Sequence, residues 1–343
     1  MQSVILAAGS STRTYPLTIT RPKPLLKAAN KTILEHNIDS LRNVSEEIII
    51  VVGYKKEMIE GFAKENFSGL NIKFIEQKEQ LGTGHALSIL EKRVKGRFIL
   101  LMGDNIYPKK DISEIAKHKY AILAAKVKNP ELFGVITEKN GLVKDITEKP
   151  KNPASNLVSC ALYSLDKKIF EILKKVKRSE RNEYELPDAI RELAINGKVY
   201  CINSSSCLQI SYPWDLLAAD KELRKNKNLI GKNAKILGKV ENSSIGDNCE
   251  IRGNVRGSII MDNSIIGGGS IVEDSVIGEN VYFKGMAKSL SNAVSIIKGK
   301  PVNAGNLGAI VGDNVKAENV IIKPGCKIWP NKTIKGKIKN DIY

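Results

Sequence analysis

Val4-Ile5-Leu6-Ala7-Ala8-Gly9-Ser10-Ser11-Thr12-Arg13 opens the chain, followed closely by Tyr15-Pro16-Leu17-Thr18 and Arg21-Pro22-Lys23-Pro24-Leu25-Leu26. An apolar strand runs into a loop of small residues. Such a loop exposes backbone N–H groups that can wrap a phosphate. Two fixed cations follow, Arg13 and Lys23, and cations there offset charge on a transferring phosphoryl group. Pro22 and Pro24 stiffen the backbone on either side of Lys23.

Outward from this stretch, apolar runs alternate with helical patterns. Val4–Ala8 reads as a strand, Ile33–Leu41 as an amphipathic helix, Glu47–Val52 as a buried strand and Lys55–Lys64 as a helix. Ile72–Ile75, Leu87–Arg93 and Phe98–Met102 continue the alternation. This rhythm predicts an α/β fold, a Rossmann-like, mostly parallel open sheet with helices on both faces. Sheets of this kind bind ligands beyond the carboxyl ends of their strands. Gly9 and Asp104 both fall just past strand ends, which places them on one rim. From Ala121 the pattern turns to strands at Ala121–Val127, Gly134–Thr137, Leu142–Thr147 and Val158–Ser164. Helical patterns return at Lys167–Val176, Pro187–Ile195 and Pro213–Lys225.

After Asn226 apolar residues recur every six positions: Ile230 to Ile236, Ile245 to Ile251, and Ile322 to Ile328 to Ile334. Small turns follow them, as in Ile245-Gly246-Asp247-Asn248 and Val311-Gly312-Asp313-Asn314. Hexapeptide periodicity predicts a left-handed parallel β-helix whose coils stack on one another. The phase breaks between Lys284 and Gly308, where a loop should leave the coil. Two domains are therefore expected, 1–226 and 227–343.

The net charge is +17, carried mostly by Lys spread along the whole chain. Aromatic residues make up only 6% of the chain and no nucleic-acid-binding signature accompanies the charge, so it reads as a solvated surface rather than a nucleic-acid footprint. No apolar run approaches the roughly 20 residues of a membrane span and no signal peptide opens the chain, so a cytoplasmic protein is expected. Cys160, Cys201, Cys207, Cys249 and Cys326 are scattered and read as reduced, mostly buried thiols.

The opening stretch resembles the signature of the sugar-1-phosphate nucleotidyltransferases, roughly LAAGxGTRxxPLTxxxPKPLL. It departs at Ser11, where the family has Gly, and at Thr14, where it has Leu or another apolar residue. The order of a nucleotidyltransferase domain and a hexapeptide helix resembles archaeal and bacterial UDP-N-acetylglucosamine-forming enzymes and glucose-1-phosphate thymidylyltransferase-like proteins, over nearly the whole chain. The resemblance implies that Leu6, Ala7, Ala8 and Gly9 line the nucleotide and that Arg13, Lys23 and Asp104 are catalytic. Gln77-Lys78-Glu79-Gln80-Leu81-Gly82-Thr83-Gly84-His85-Ala86 resembles the base-reading segment. It implies nucleotide contacts at Gln77, Gly82 and Thr83, and His85 reads as a helix-terminus residue without a proton-transfer role. Leu101-Met102-Gly103-Asp104-Asn105 implies a Mg²⁺ ligand at Asp104. Phe133-Gly134-Val135 and Glu148-Lys149-Pro150 resemble the sugar-phosphate pocket, which implies roles for Gly134, Glu148, Lys149, Asn156, Ser159 and Tyr163.

By this resemblance a sugar-1-phosphate oxygen attacks the α-phosphorus of UTP or dTTP and pyrophosphate leaves, with no protein nucleophile. The sugar phosphate would be N-acetylglucosamine-1-phosphate or glucose-1-phosphate. Two further positions depart from the family. Gln209 stands where its segment GYWxDIGxPW has the second metal Asp, and an amide is a weaker ligand for a hard cation. Ser159 replaces the sugar-binding Asn. These changes raise the alternative of a weak or inactive paralogue that binds nucleotide and regulates an active partner. The chain's three histidines, His36, His85 and His118, all precede the β-helix. That argues against the family's histidine-dependent acetyl transfer. It leaves the β-helix to oligomerise, as a homotrimer or with an active paralogue.

Overall fold

The computed structural model describes residues 1–195, 197–204, 206 and 208–343; Ser205 and Cys207, within the segment compared with GYWxDIGxPW, lie outside the described residues. Packing divides the chain into two compact units. One is Met1–Ser10 with Leu34–Leu208, and the other is Ser11–Ile33 with Gln209–Tyr343. The loop after Gly9 thus groups with the C-terminal region, as do residues 209–226.

The first unit is built on a nine-stranded sheet. Its strands are β1 (Gln2–Ala7), β2 (Glu47–Val52), β3 (Ile72–Glu76), β4 (Phe98–Met102), β5 (Ala121–Lys126), β6 (Gly134–Lys139), β7 (Leu142–Glu148), β8 (Leu157–Leu165) and β9 (Tyr200–Asn203). They lie in the order β3-β2-β1-β4-β8-β5-β9-β7-β6. The first four are parallel. Every residue of β1 and β2 is buried, as expected of strands covered on both faces. β8 then enters antiparallel between β4 and β5, and it bulges between Ser159 and Tyr163. Helices α1 (Ile33–Leu41), α2 (Lys56–Asn66), α3 (Thr83–Ser88), α4 (Lys109–Ile115), α5 (Lys168–Leu173) and α6 (Leu186–Ile195) accompany these strands. Leu87 of α3, Phe170 of α5 and Leu186 and Ile190 of α6 share one apolar core with the sheet.

The expected single rim is present. Leu6 pairs with Val51 and Met102, so Ala8–Gly9 and Gly103–Asp104 leave neighbouring strand ends. The strands come close enough there to require glycine. A Cβ on Gly103 would lie 2.9 Å from the Ala7 Cβ, and one on Gly53 would lie 2.8 Å from the Ala8 oxygen.

In the second unit, α7 (Asp215–Leu223) leads into a left-handed parallel β-helix of hexapeptide repeats. One face stacks Ile245, Ile260, Ile277, Val311 and Ile328 inward. The six-residue step holds from this face to the next in successive coils: 245 to 251, 260 to 266, 277 to 283, 311 to 317 and 328 to 334. The return path is shorter than two further hexapeptides. Coils therefore repeat at 15 or 17 residues, seen directly in the hydrogen bonds between stacked asparagines, and at 34 where the excursion is inserted between Ile277 and Val311. Those asparagines (Asn248, Asn263, Asn280, Asn314, Asn331) occupy the left-handed backbone region, which Asn tolerates better than most residues. The excursion begins after Ala287 rather than at Lys284, and it contains an antiparallel hairpin of Val294–Ile297 and Lys300–Asn303.

Burial pushes the thiols of Cys201, Cys249 and Cys326 up to about 11, which keeps them protonated at neutral pH. No helix among the described residues is long and apolar enough to cross a membrane.

Candidate active site

On the rim of the first unit, Leu6, Ala7 and Ala8 are buried at the end of β1 while Gly9 is exposed. A Cβ on Gly9 would meet nothing within 4 Å, so open space lies beside this backbone. The Ala8 carbonyl accepts from Tyr54 N and Gln80 Nε2, both at 3.0 Å, which fixes the turn. Asp104 is half-buried just past β4.

Gln77 follows β3, and its backbone N–H donates to Val52 O at 2.8 Å. Its side chain is buried. Nε2 donates to Gly82 O at 3.2 Å and lies 3.0 Å from His85 Nδ1. His85 therefore orients the amide, a contact the spacing of the motif did not foretell. Gly82 has φ 97°, and a Cβ there would lie 2.7 Å from Tyr184 O. Gly84 N donates to that same oxygen at 2.8 Å. The Thr83 hydroxyl accepts from Leu186 N at 3.2 Å, tying α3 to the start of α6. Gly82 and Thr83 thus have packing tasks here.

Gly134 and Glu148 are cross-strand partners on β6 and β7. A Cβ on Gly134 would lie 3.1 Å from a Glu148 carboxylate oxygen and 3.7 Å from the Ser159 Cβ, so these three converge. Tyr163 is fully buried, its hydroxyl 3.2 Å from Ser159 Oγ, and burial pushes the phenol well above its ordinary value. Ser159 Oγ also accepts from Ala161 N at 3.0 Å and so supports the bulge in β8. Asn156 is exposed, and its carbonyl accepts from Val127 N. Lys149 is exposed and pairs with Glu148 at 2.7 Å.

Glu148 and Lys149 border a cavity of about 320 Å³ that Arg181, Glu185, Asp188 and Arg191 also line. Arg181 reaches Glu185 at 2.7 Å and Glu148 at 3.5 Å. Burial, then the charge of Glu185, raises the Asp188 carboxyl. Sequence reading passed over Arg181. Its one signal was its place just ahead of Glu185-Leu186-Pro187-Asp188.

Arg13, Lys23 and Gln209 belong to the second unit. There the loop packs on the segment 209–215. Lys23 is 4% exposed, and its ammonium donates to Ile210 O at 2.6 Å. The Arg13 guanidinium lies 5.8 Å over the Tyr212 ring, which stacks on Trp214. Asp215 accepts from Ser211 N and Tyr212 N, both at 2.8 Å. Burial raises its carboxyl, against the pull of those N–H groups and of Lys23 and Arg13. Asp215 was also missed. It follows Trp214, where the comparison with the family segment stopped. The Gln209 Oε1 is buried with no hydrogen-bond partner among the described residues. An orphaned oxygen of this kind suits a cation or a donor. Among the described residues no three His, Cys, Asp or Glu converge as a metal site.

The family model described as Nucleotidyl transferase matches residues 2–210, the strand-and-loop framework just set out. The chain belongs to the nucleotidyl transferase family. A second model, described as the GMPPB C-terminal domain, matches residues 223–342. This nucleotidyl transferase is 39% identical over 397 aligned positions to the bifunctional protein GlmU of Methanococcus maripaludis strain C7, covering 100% of this chain and 95% of that one. It is 35% identical over 237 positions to the UTP–glucose-1-phosphate uridylyltransferase AglF of Haloferax volcanii, covering 66% of this chain and 97% of that one. A solved structure of a putative glucose-1-phosphate thymidylyltransferase from Bacillus anthracis, in complex with a sucrose, superposes with a TM-score of 0.59 at 26% identity. That match covers 65% of this chain and 96% of the other. Its relatives place this nucleotidyl transferase among the sugar-1-phosphate enzymes.

Proposed function

We propose that the chain transfers the nucleotidyl group of UTP or dTTP to N-acetylglucosamine-1-phosphate or glucose-1-phosphate, with pyrophosphate as the other product. The observation that carries this reading is the shared rim. Gln77, the open turn at Ala8–Gly9 and Asp104 all leave the carboxyl ends of the parallel strands β3, β1 and β4. The amide nitrogen of Gln77 is engaged by Gly82 O and His85 Nδ1, which would leave its oxygen to accept from the imide N–H of a pyrimidine ring. The loop amides after Gly9 would hold the phosphates. Arg13 and Lys23 would offset charge as the α-phosphorus is attacked in line. Glu148 and Lys149 would orient the sugar phosphate, with Arg181 beside them.

By the resemblance Asp104 would hold Mg²⁺, and separately the orphaned Gln209 oxygen would suit a cation or a donor. A divalent cation bound to the triphosphate would offset its charge. The amide at Gln209 also supports the second reading, a weak or inactive paralogue.

The absence of histidine from 227–343 supports a β-helix without histidine-dependent acetyl transfer. The outward row Ile271, Met286 and Ile321, in register on successive coils, supports self-association, which sedimentation would measure.

Pyrophosphate release from UTP and dTTP with Mg²⁺, across a panel of sugar-1-phosphates, tests the proposal, with an acetyl-CoA and glucosamine-1-phosphate arm beside it. The expected result is release with at least one pair, lost in Asp104→Asn by a factor of about 100 or more, and no thiol from acetyl-CoA. Nucleotide binding without release from any pair would sink the active-enzyme reading and leave the paralogue.

A further inference from the structure

We propose that the acidic corner of the β-helix sets the conformation of the loop bearing Arg13 and Lys23, with Arg21, Asp313 and Glu279 as its positioning residues. The inference rests on the nucleotidyl-transfer reading, which makes that loop catalytic. All the residues concerned lie within the second unit.

The corner is written in the repeat. Gly-Asp-Asn turns at 246–248 and 312–314, with Met261-Asp262-Asn263 and Gly278-Glu279-Asn280 between them, put an acidic side chain at the same corner of successive coils. One oxygen of these aspartates has a task inside the coil. Asp247 Oδ1 accepts from Lys232 N, Asp262 Oδ1 from Asp247 N, and Asp313 Oδ1 from Glu279 N, at 2.7, 3.0 and 2.7 Å. That bond needs an acceptor and no charge. The second oxygen of Asp262 and of Asp313 reaches the loop. Asp313 Oδ2 accepts from Arg21 Nη2 at 2.6 Å and from the Thr20 hydroxyl, while Arg21 Nη1 pairs with Glu279. Asp262 Oδ2 pairs with Lys27. Glu279 and Asp313 sit on adjacent coils, about 4.8 Å apart along the axis. That spacing suits the two outer nitrogens of one guanidinium, and the cation relieves the repulsion between the stacked carboxylates. Asn30 Nδ2 donates to Ile245 O and Ala29 N to Asp220 at 2.8 Å each, which ties down the far end of the loop.

The clamp reaches Lys23 through a stiff path. Pro22 alone separates it from Arg21, with φ −72°, and Lys23–Leu25 forms a 3-10 turn. Arg21 and Asp313 are 11% and 6% exposed, so water competes little for the pair. A loop freed at Arg21 would lose the placement of both cations.

The test uses the full chain and a substitution that keeps the coil intact. Asp313→Asn with Glu279→Gln preserves the Oδ1 acceptor and removes the charges facing Arg21. Hydrogen exchange over residues 11–30 should then quicken about tenfold while the coil amides stay protected. The kcat should fall about ten- to a hundredfold, with KM for the sugar phosphate within about twofold. Arg21→Ala should do the same, and Arg21→Lys should recover part of both losses. Unchanged exchange and kcat in the folded double variant would overturn the proposal. So would a lowered melting temperature with kinetics unmoved, or an Arg21→Lys variant no better than Arg21→Ala. A wild-type chain without turnover would sink the nucleotidyl-transfer reading alone, because the exchange arm judges the clamp independently.

Discussion

Ser11 adopts φ 51° and ψ 47°, the left-handed region, at a position where the family pattern carries glycine. A side chain there costs about 1–2 kcal/mol of backbone strain. The structure surrounds it with compensation. The Ser11 carbonyl accepts from Thr14 N at 3.1 Å, from the Thr14 hydroxyl at 2.7 Å and from the Thr18 hydroxyl at 2.9 Å. Thr14 is the other departure from the pattern, and its buried hydroxyl replaces an apolar side chain. The two changes are therefore one adaptation: a hydroxyl is recruited to pin a carbonyl whose residue would rather leave the left-handed region. Ser11→Gly should stabilise by roughly 0.5 kcal/mol, since strain relief exceeds the added freedom of the unfolded chain. Thr14→Leu should cost about 1–2 kcal/mol in the parent and less beside Ser11→Gly. A double-mutant cycle from denaturant melts should give a coupling of about 0.5–1 kcal/mol. Additive effects would separate the two positions. Each departure was visible in the sequence. Their coupling was not, because a side-chain bond to a carbonyl three residues back leaves no mark in apolar spacing.

Glu47 opens β2 and bridges three strands at their amino ends. Its carboxylate accepts from Gln2 Nε2 on β1 at 2.6 Å and pairs with Lys73 on β3. The hydrogen bond from Lys73, then that from Gln2, holds the carboxyl below its ordinary value despite its burial. A lowered folded value means the unfolded chain binds the proton more readily. The stability that Glu47 contributes is therefore present above the ordinary glutamate range and lost as pH falls through the lower folded value. Urea melts from pH 6 downward should show this acid loss, and Glu47→Gln should flatten it. An unaltered acid limb in that variant would remove Glu47 from the account. At this scale the sequence was read well where burial alone decides an element: α1 and β2 fall on Ile33–Leu41 and Glu47–Val52 as expected. It was read less well where backbone contacts decide. Helix α3 opens at Thr83, as the segment Thr83-Gly84-His85 implies, but it ends at Ser88, short of the pattern that runs on to Arg93, and its start packs against Tyr184 through Gly82 and Gly84. The coil repeat of 15 or 17 was hidden because six-residue steps are mixed with shorter ones within each coil.

For the whole molecule, the grouping of residues 11–33 with the β-helix depends on contacts such as Arg21 to Asp313, 292 positions apart, which no local pattern can announce. The rim of Gly9, Gln77 and Asp104 was legible because strand ends are. The convergence of Arg13 and Lys23 on the segment 209–215 was not. The charge of +17 is also a property of the whole chain, and it bears on both proposed substrates, each of which is an anion. A positive field raises the local concentration of anions and their association rate, and salt screens it, the Debye length falling from about 10 Å at 0.1 M to about 3 Å at 1 M. The groups proposed to stabilise the reacting phosphate would act at contact distance, where salt screens little, and Lys23, one of them, is buried. Salt should therefore divide the two effects. Raising KCl from 50 to 500 mM should lower kcat/KM for the nucleoside triphosphate several-fold, chiefly through KM, and leave kcat within about twofold. Steady-state pyrophosphate release at the two concentrations measures this. A kcat/KM indifferent to salt would mean that the lysines serve solvation alone, and a kcat falling in step with it would mean that the field reaches the chemical step itself.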